Sequence, residues 1–244
     1  MKKRILVLLL IILVLSISYA ISHGGEEDYM LDHNELYPIS QMKAVGYGSL
    51  AFGIIVLIIL IFNKTMSDNI KKLVYLAIVV VVVAVTMYLV VVTLHLNISS
   101  ITNGPVHWHA YYEVWICDKE LKLPLSPSSF TNRQGTPLLH SHEDNKIHVE
   151  GVLLKLRDAS LGAFFHAVGG SLSDNGIRFP TENGLITVYN GDLCNGKPAV
   201  LYVFINGNLA DKPSEYTIKP YEQVPPGDII KIVDGGLYNT ALDR

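Results

Sequence analysis

Three apolar blocks fill most of the first hundred residues, and no other feature of the chain restricts its fold as strongly. An apolar run of about 20 residues is the length that crosses a bilayer as one helix, with its backbone hydrogen bonds satisfied internally. The first block lies in "MKKRILVLLLIILVLSISYAIS", residues 1–22. It opens on basic residues, is short for a spanning helix, and runs into small residues. It therefore reads as a secretory signal peptide. Ser18-Tyr19-Ala20 offers a cleavage site and Ala20-Ile21-Ser22 a weaker one; an uncleaved first membrane helix is the alternative.

The second block, Val45 to Phe62, and the third, Leu73 to Leu96, predict a transmembrane helix hairpin over residues 45–97. Between them "NKTMSDNIKK" carries Lys64, Lys71 and Lys72. The positive-inside rule puts this loop in the cytoplasm, together with Lys2, Lys3 and Arg4. Residues 23–44 and everything after about Asn97 then lie outside. The expected location is the plasma membrane, with residues 98–244 extracytoplasmic. Neither block contains a charge, which argues against a transport pathway. Gly46, Gly48 and the small-xxx-small spacing from Ser49 to Gly53 predict close helix packing. His95, at the outer end of the third block, needs no special role.

The outer stretch "HGGEEDYMLDHNELYP" carries Glu26, Glu27, Asp28, Asp32 and Glu35, with His23 and His33. It reads as a solvated acidic loop. The sharper alternative is a weak metal-collecting loop, in which cleavage after Ser22 would make His23 an amine-plus-imidazole chelator.

Past residue 98 the composition becomes globular, and about 145 residues can bury one core. Net charge is −3 with no basic stripe, so nucleic acid is not an expected partner. The pattern is mostly strand with one main helix, an α+β domain whose order suggests a β-grasp-like arrangement. "VHWHAYYEVWIC" is a strand, the polar "DKE" a turn into "LKLPL", and Ser126 to Thr136 a loop. "PLLHSH" and "KIHVEGVLL" are two short strands or one broken strand. "DASLGAFFHAVGG" is the helix, capped by Asp158 or Ser160 and ended by Gly169-Gly170. Its apolar face is Leu161, Phe164, Phe165 and Val168, which leaves His166 exposed. "GLITVYNG", "AVLYVFINGN" with an Asn206-Gly207 turn, "YTIKP" and "GDIIKIVDGG" supply further strands.

Cys117 and Cys194 fall on the oxidising side of the membrane in this topology, where a structural disulfide is the default. Neither sits in a C-x-x-C motif, so a thiol oxidoreductase is not expected. A soft-metal site using both is the lesser alternative.

Histidines concentrate in the outer domain: His107 and His109 in "VHWHA", then His140, His142 and His148 in "LLHSHEDNKIHVEG". Successive side chains of a strand alternate in direction, so residues two apart share a face. His107 and His109 share one with Tyr111 and Glu113, while Trp108, Ala110, Tyr112, Val114 and Ile116 form the opposite, apolar face. His140 and His142 pair in the same way, and His148 shares a face with Lys146 and Glu150. Imidazole suits zinc, copper, iron and nickel, and two imidazoles on one strand face can reach one ion from a rigid platform. A second His-x-His from a neighbouring strand completes a four-coordinate or open three-coordinate set. Glu143, Asp144 or Glu150 could ligate, or orient a ring through its second N–H. Without a metal, imidazoles pressed together lose stability on protonation below about pH 6. The bland alternative is a solvated polar face.

At these residues, "HWHAYYEVWICDKELKLP", "PLLHSHEDNKIHVEG" and "SLGAFFHAVGG" resemble a family of extracytoplasmic prokaryotic proteins frequent in archaea. The shared pattern is H-x-H-A, then H-x-H followed by an acid, then I-H-V-E, then a helix with L-G-x-F-F. The resemblance covers His107 to Asp234 and leaves out the membrane helices. It implies one domain with a His-rich core and supplies no activity. His107, His109, His140, His142, His148 and Glu150 carry over as motif positions. Relatives have an aspartate after the second H-x-H; here Glu143 precedes Asp144, so the carboxylate in that role stays open.

Three functions compete. A membrane-anchored domain holding copper or zinc, for delivery, buffering or sensing, is the leading reading; the imidazole-rich ligand set slightly favours copper. An accessory subunit docked in a larger membrane complex through its helix hairpin is the second. The third is a metal-dependent enzyme at the same site, with Glu143, Asp144 or Glu150 as general base. No nucleophile elbow, phosphate loop or zincin helix accompanies the site.

Overall fold

The computed structural model describes residues 39–62, 64–124, 132–218 and 227–235. The signal region 1–22, the acidic stretch up to residue 38 with His23 and His33, and loop residues 125–131 lie outside them. The chain divides into two compact units, Met1–Leu96 and Asn97–Arg244.

In the first unit, α1 spans Gln41–Phe62 and α2 spans Asp68–Ser99. Both are long and apolar enough to cross a membrane. Both begin earlier than their apolar runs because a serine caps each: Lys43 N–H donates to Ser40 Oγ and Ile70 N–H to Ser67 Oγ. Lys71 and Lys72 therefore belong to the first turns of α2, not to the connecting loop. At 32 residues α2 extends about 48 Å, against a bilayer hydrocarbon core of about 30 Å. The expected close packing is centred on Gly48: a Cβ there would meet Val85 Cγ2 of α2 at 2.5 Å. Gly53 is buried, whereas Gly46 faces open space. Tyr88 Oη, from within α2, donates to the Ile39 carbonyl just before α1, a second tie between the two segments.

The second unit is built on a mixed sheet. Its strands are β1 (Pro105–Ile116), β2 (Lys119–Leu121), β3 (Gln134–Gly135), β4 (Leu139–Ser141), β5 (Lys146–Val152), β11 (Val200–Ile205), β12 (Asn208–Leu209) and β13 (Asp228–Gly235). The order is β12-β11-β13-β1-β5-β4-β3, with β2 also on β1. β1 is the spine. Its first half pairs antiparallel with β5, from Pro105 opposite Val152 to Tyr111 opposite Lys146. Its second half pairs with β2 on the same flank and with β13, in parallel, on the other.

Alternation on β1 buries Ala110, Tyr112, Val114 and Ile116, as the sequence period requires. Against them pack Ile147 and Val149 of β5, Ile230 and Ile232 of β13, and helix α3, Leu161–Ala167. Phe164 of α3 meets the Tyr112 ring edge-on at 5.3 Å and Phe165 continues the stack to Phe179. Ser160 is the N-cap, accepting from Ala163 N–H, while Asp158 accepts from Lys155 N–H and closes a preceding 3-10 turn, Leu156–Ala159. The two cap candidates thus serve successive turns. His166 is exposed, as expected from the stripe.

Several local expectations fail. The first turn is Cys117-Asp118, both left-handed at φ 51° and 62°, so Lys119 and Glu120 already pair in β2. Of "YTIKP" only residues 216–218 are described, and they hold an isolated bridge from Thr217 to Ser160, after a 3-10 turn at Pro213–Glu215. The loop expected from Ser126 to Thr136 contains β3. A small sheet of β6 (Ser171–Ser173), β7 (Gly176–Thr181) and β8 (Gly184–Tyr189) also arises where only β8 was expected. Its alternation is short and interrupted by Pro180, which hid it.

Left-handed pairs also close β11–β12 at Asn206-Gly207 and β9 (Leu193–Cys194) with β10 (Lys197–Pro198) at Asn195-Gly196. The latter turn clasps that of β1–β2: Cys117 and Cys194 are disulfide-bonded, and Asn195 Nδ2 donates to Asp118 Oδ2 at 3.4 Å. The bridge joins positions 77 residues apart. The double variant Cys117→Ser/Cys194→Ser should lose about 2–4 kcal/mol in denaturant titration. A loss below about 0.5 kcal/mol would show that the turn clasp holds without the bond.

Candidate metal centre

Strands β1, β5 and β4 lie side by side, and their register assembles the histidines. His107 sits opposite Glu150, His109 opposite His148, and His140 opposite His148. Period-two alternation turns all of them to the sheet face away from Tyr112 and Val149. Every motif residue, His107, His109, His140, His142, His148 and Glu150, enters one cluster. Two overlapping groups could hold a metal ion: His107, His109, His148 and Glu150, and His140, His142 and His148, the donor atoms within each lying within 4.8 Å of one another.

The rings contact in a chain. His107 and His109 approach edge-to-face at 4.6 Å, His109 and His148 at 4.4 Å, His148 and His142 at 4.7 Å, and His142 and His140 at 4.7 Å. His140 also stacks on His148 at 5.3 Å. The two ends of the chain of rings differ in burial: the His107 side chain is 64% exposed and the His140 side chain 1%. β3 folds against His140 and closes that end. Gly135, at φ 113°, permits it, since a Cβ there would overlap the Leu139 carbonyl.

Hydrogen bonds orient the rings. His142 Nδ1 donates to the Asn132 carbonyl at 2.9 Å, which leaves Nε2 as its lone-pair nitrogen. His148 Nε2 donates to Asp144 Oδ2 at 3.1 Å, which leaves Nδ1. That Nδ1 is buried without a hydrogen-bond partner and lies 3.6 Å from Glu150 Oε1. His107 Nε2 lies 3.3 Å from the same oxygen and 2.9 Å from His109 Nε2. His140 Nε2 lies 3.8 Å from Glu150 Oε2. Of the three carboxylates, Asp144 and Glu150 lie against histidine, and Glu143 lines a separate groove with Tyr112 and Lys119.

Burial pushes the His140 imidazole down to about 4, with the His142, His148 and Arg133 charges adding to the effect and Glu150 opposing it. His109 is lowered by burial first, then by His148, His107 and Lys146, again against Glu150. Asp144 is raised by burial, but the His148 hydrogen bond and charge, with Lys146, outweigh this and lower it overall. Near pH 7 the site thus holds His140 and His109 neutral and Asp144 ionised. Neutral imidazole is the form that binds metal, and ionised carboxylate the form that orients it.

Asn132 and Arg133, which also lie beside the rings, were not foreseen. Asn132 acts through its backbone carbonyl, which carries no residue-type signal, and Arg133 belongs to a stretch that reads as loop. Lys146 was visible on the His148 face; it bridges to Asp144 at 3.7 Å and lies over the Tyr111 ring.

No protein-family model matches the chain, and neither a curated protein nor a solved structure was found to match it.

Proposed function

We propose that this protein is a membrane-anchored, extracytoplasmic metal-binding protein that holds copper or zinc for delivery, buffering or sensing. One observation carries the reading: the buried His148 Nδ1, without a hydrogen-bond partner, faces a carboxylate oxygen at 3.6 Å. A lone pair facing an anion is unfavourable unless a cation lies between them. The gap exceeds hydrogen-bond length. Two ligands each about 2.0–2.1 Å from a tetrahedral ion stand about 3.4 Å apart, which matches this spacing and the 3.3 Å from His107 to Glu150.

The anchoring rests on the two apolar helices and on the lysines at their turn, which favour a cytoplasmic loop and an outer C-terminal unit. A disulfide in that unit fits the same side. The strand order β5-β1-β13-β11, with β1 and β13 parallel and α3 between the two halves in sequence, supports a β-grasp-like reading of the domain. The resemblance to the His-rich extracytoplasmic family falls on the same six residues. Almost every side chain of the two helices is uncovered, which also favours a further role in docking to a membrane complex.

The test is metal content by elemental mass spectrometry. The full chain, purified in detergent without a metal-affinity tag, should retain copper or zinc after desalting. The variant His107→Ala/His109→Ala/His140→Ala/His142→Ala should retain none. Equal content in both proteins, or none in either after titration with both ions, would refute the reading.

A further inference from the structure

Metal binding at the cluster does not by itself set the number of ions, and any such number rests on the metal-binding reading. The six donors do not converge on one point. They form two groups that share only His148. Glu150 is the group that faces both: Oε1 is directed to His107 at 3.3 Å and His148 at 3.6 Å, while Oε2 lies 3.8 Å from His140. A carboxylate with its two oxygens toward different ligand groups has the disposition of a bridge between two cations.

We propose that the cluster binds two metal ions side by side, an outer ion on His107, His109 and Glu150 and an inner ion on His140, His142 and His148, with the Glu150 carboxylate between them. His148 decides the division. Its Nε2–H is committed to Asp144, so a single lone-pair nitrogen remains, and it serves one ion at a time. Assigning it to the inner group, with one Glu150 oxygen toward each ion, gives the inner ion four protein donors and the outer ion three, the count that leaves a further position for water or an exchanging ligand.

Both inner rings that the fold covers, His140 and His148, have a buried Nδ1 without a hydrogen-bond partner. The outer position is open to solvent through His107, so the two ions differ in access. Dications about 4 Å apart repel strongly even with a carboxylate between them. The second equivalent therefore binds more weakly than the first, and a chelator removes the outer ion faster than the inner.

The test uses the full chain in detergent, stripped with a chelator and then titrated with zinc(II) for stoichiometry or copper(II) for electron paramagnetic resonance. The expected result is two equivalents of zinc per chain, falling to one in His107→Ala/His109→Ala and to one in His140→Ala/His142→Ala. At two equivalents, copper should show the broadening and half-field signal of a spin-coupled pair. One equivalent in the unaltered protein, or two with no spin coupling, overturns the two-ion arrangement while the metal-binding function stands. No retained metal overturns both. The count and the coupling in the unaltered protein need no variant, so a pair variant that fails to fold does not blunt the test.

Discussion

His148→Ala should weaken metal binding by more than about 100-fold, because it removes a ligand outright, whereas loss of a group that only orients a ligand costs about 10- to 100-fold. Its ring also touches His109, His140 and His142, so its removal loosens the packing that holds the other imidazoles in place. Asp144→Asn isolates the orienting role. The carboxylate accepts from His148 Nε2–H and so presents Nδ1 to the site; an amide holds that ring less firmly and lowers its basicity. The expected loss is about 10- to 100-fold. Glu143→Gln should leave affinity unchanged, since Glu143 lines the separate groove. Competition against a chromogenic chelator reads all three. Equal effects of the Asp144 and Glu143 variants would remove Asp144 from the site.

Acid should destabilise the metal-free second unit, Asn97–Arg244, between about pH 6.5 and pH 4, and bound metal should protect it. The reason is His140. Burial holds its folded-state value at about 4, against an unfolded value of 6.5. Between these limits the unfolded chain binds more protons than the folded one, so stability rises with pH. Stability is thus full above about pH 6.5, falls as pH drops, and has lost about 3 kcal/mol from this residue near pH 4. His109, also lowered, pulls in the same direction. Asp144 acts in a separate window: its lowered value stabilises the fold above its ordinary 3.8, and that contribution is lost as pH falls below it. The readout is selective, because both tryptophans of the chain, Trp108 and Trp115, lie on β1. Fluorescence-monitored denaturation in chelator at pH 7.5, 6, 5 and 4 should show the decline, and His140→Gln should flatten it. A flat profile in the unaltered protein would contradict a buried neutral His140.

Much of this arrangement is legible without coordinates because it depends on local periodicity. The helices follow from two uncharged apolar runs, although their starts do not: Ser40 and Ser67 cap them upstream of the apolar residues. The faces of β1 and β5 follow from alternation, so His107 and His109 could be placed together, and His148 with Glu150. The Asn206-Gly207 turn and the Ser160 cap follow from side-chain chemistry at single positions. Where the signal was short, the reading failed. β6 and β7 offer few alternating residues and contain Pro180, and the left-handed turn at Cys117-Asp118 carries no glycine to mark it.

The sequence alone determined which side chains are available and which share a strand face, because a strand repeats every two residues whatever lies beside it. Only the tertiary structure decided that His107 stands opposite Glu150, that His109 and His140 flank His148, and that Asp144 rather than Glu143 holds the His148 ring. It also joined Cys117 to Cys194. These are relations between segments distant in the chain. They are set by the register in which β1, β5 and β4 bury Ala110, Ile147, Val149 and Leu139 on the side of the sheet that α3 covers, and a slip of one residue would have turned every histidine to the other face.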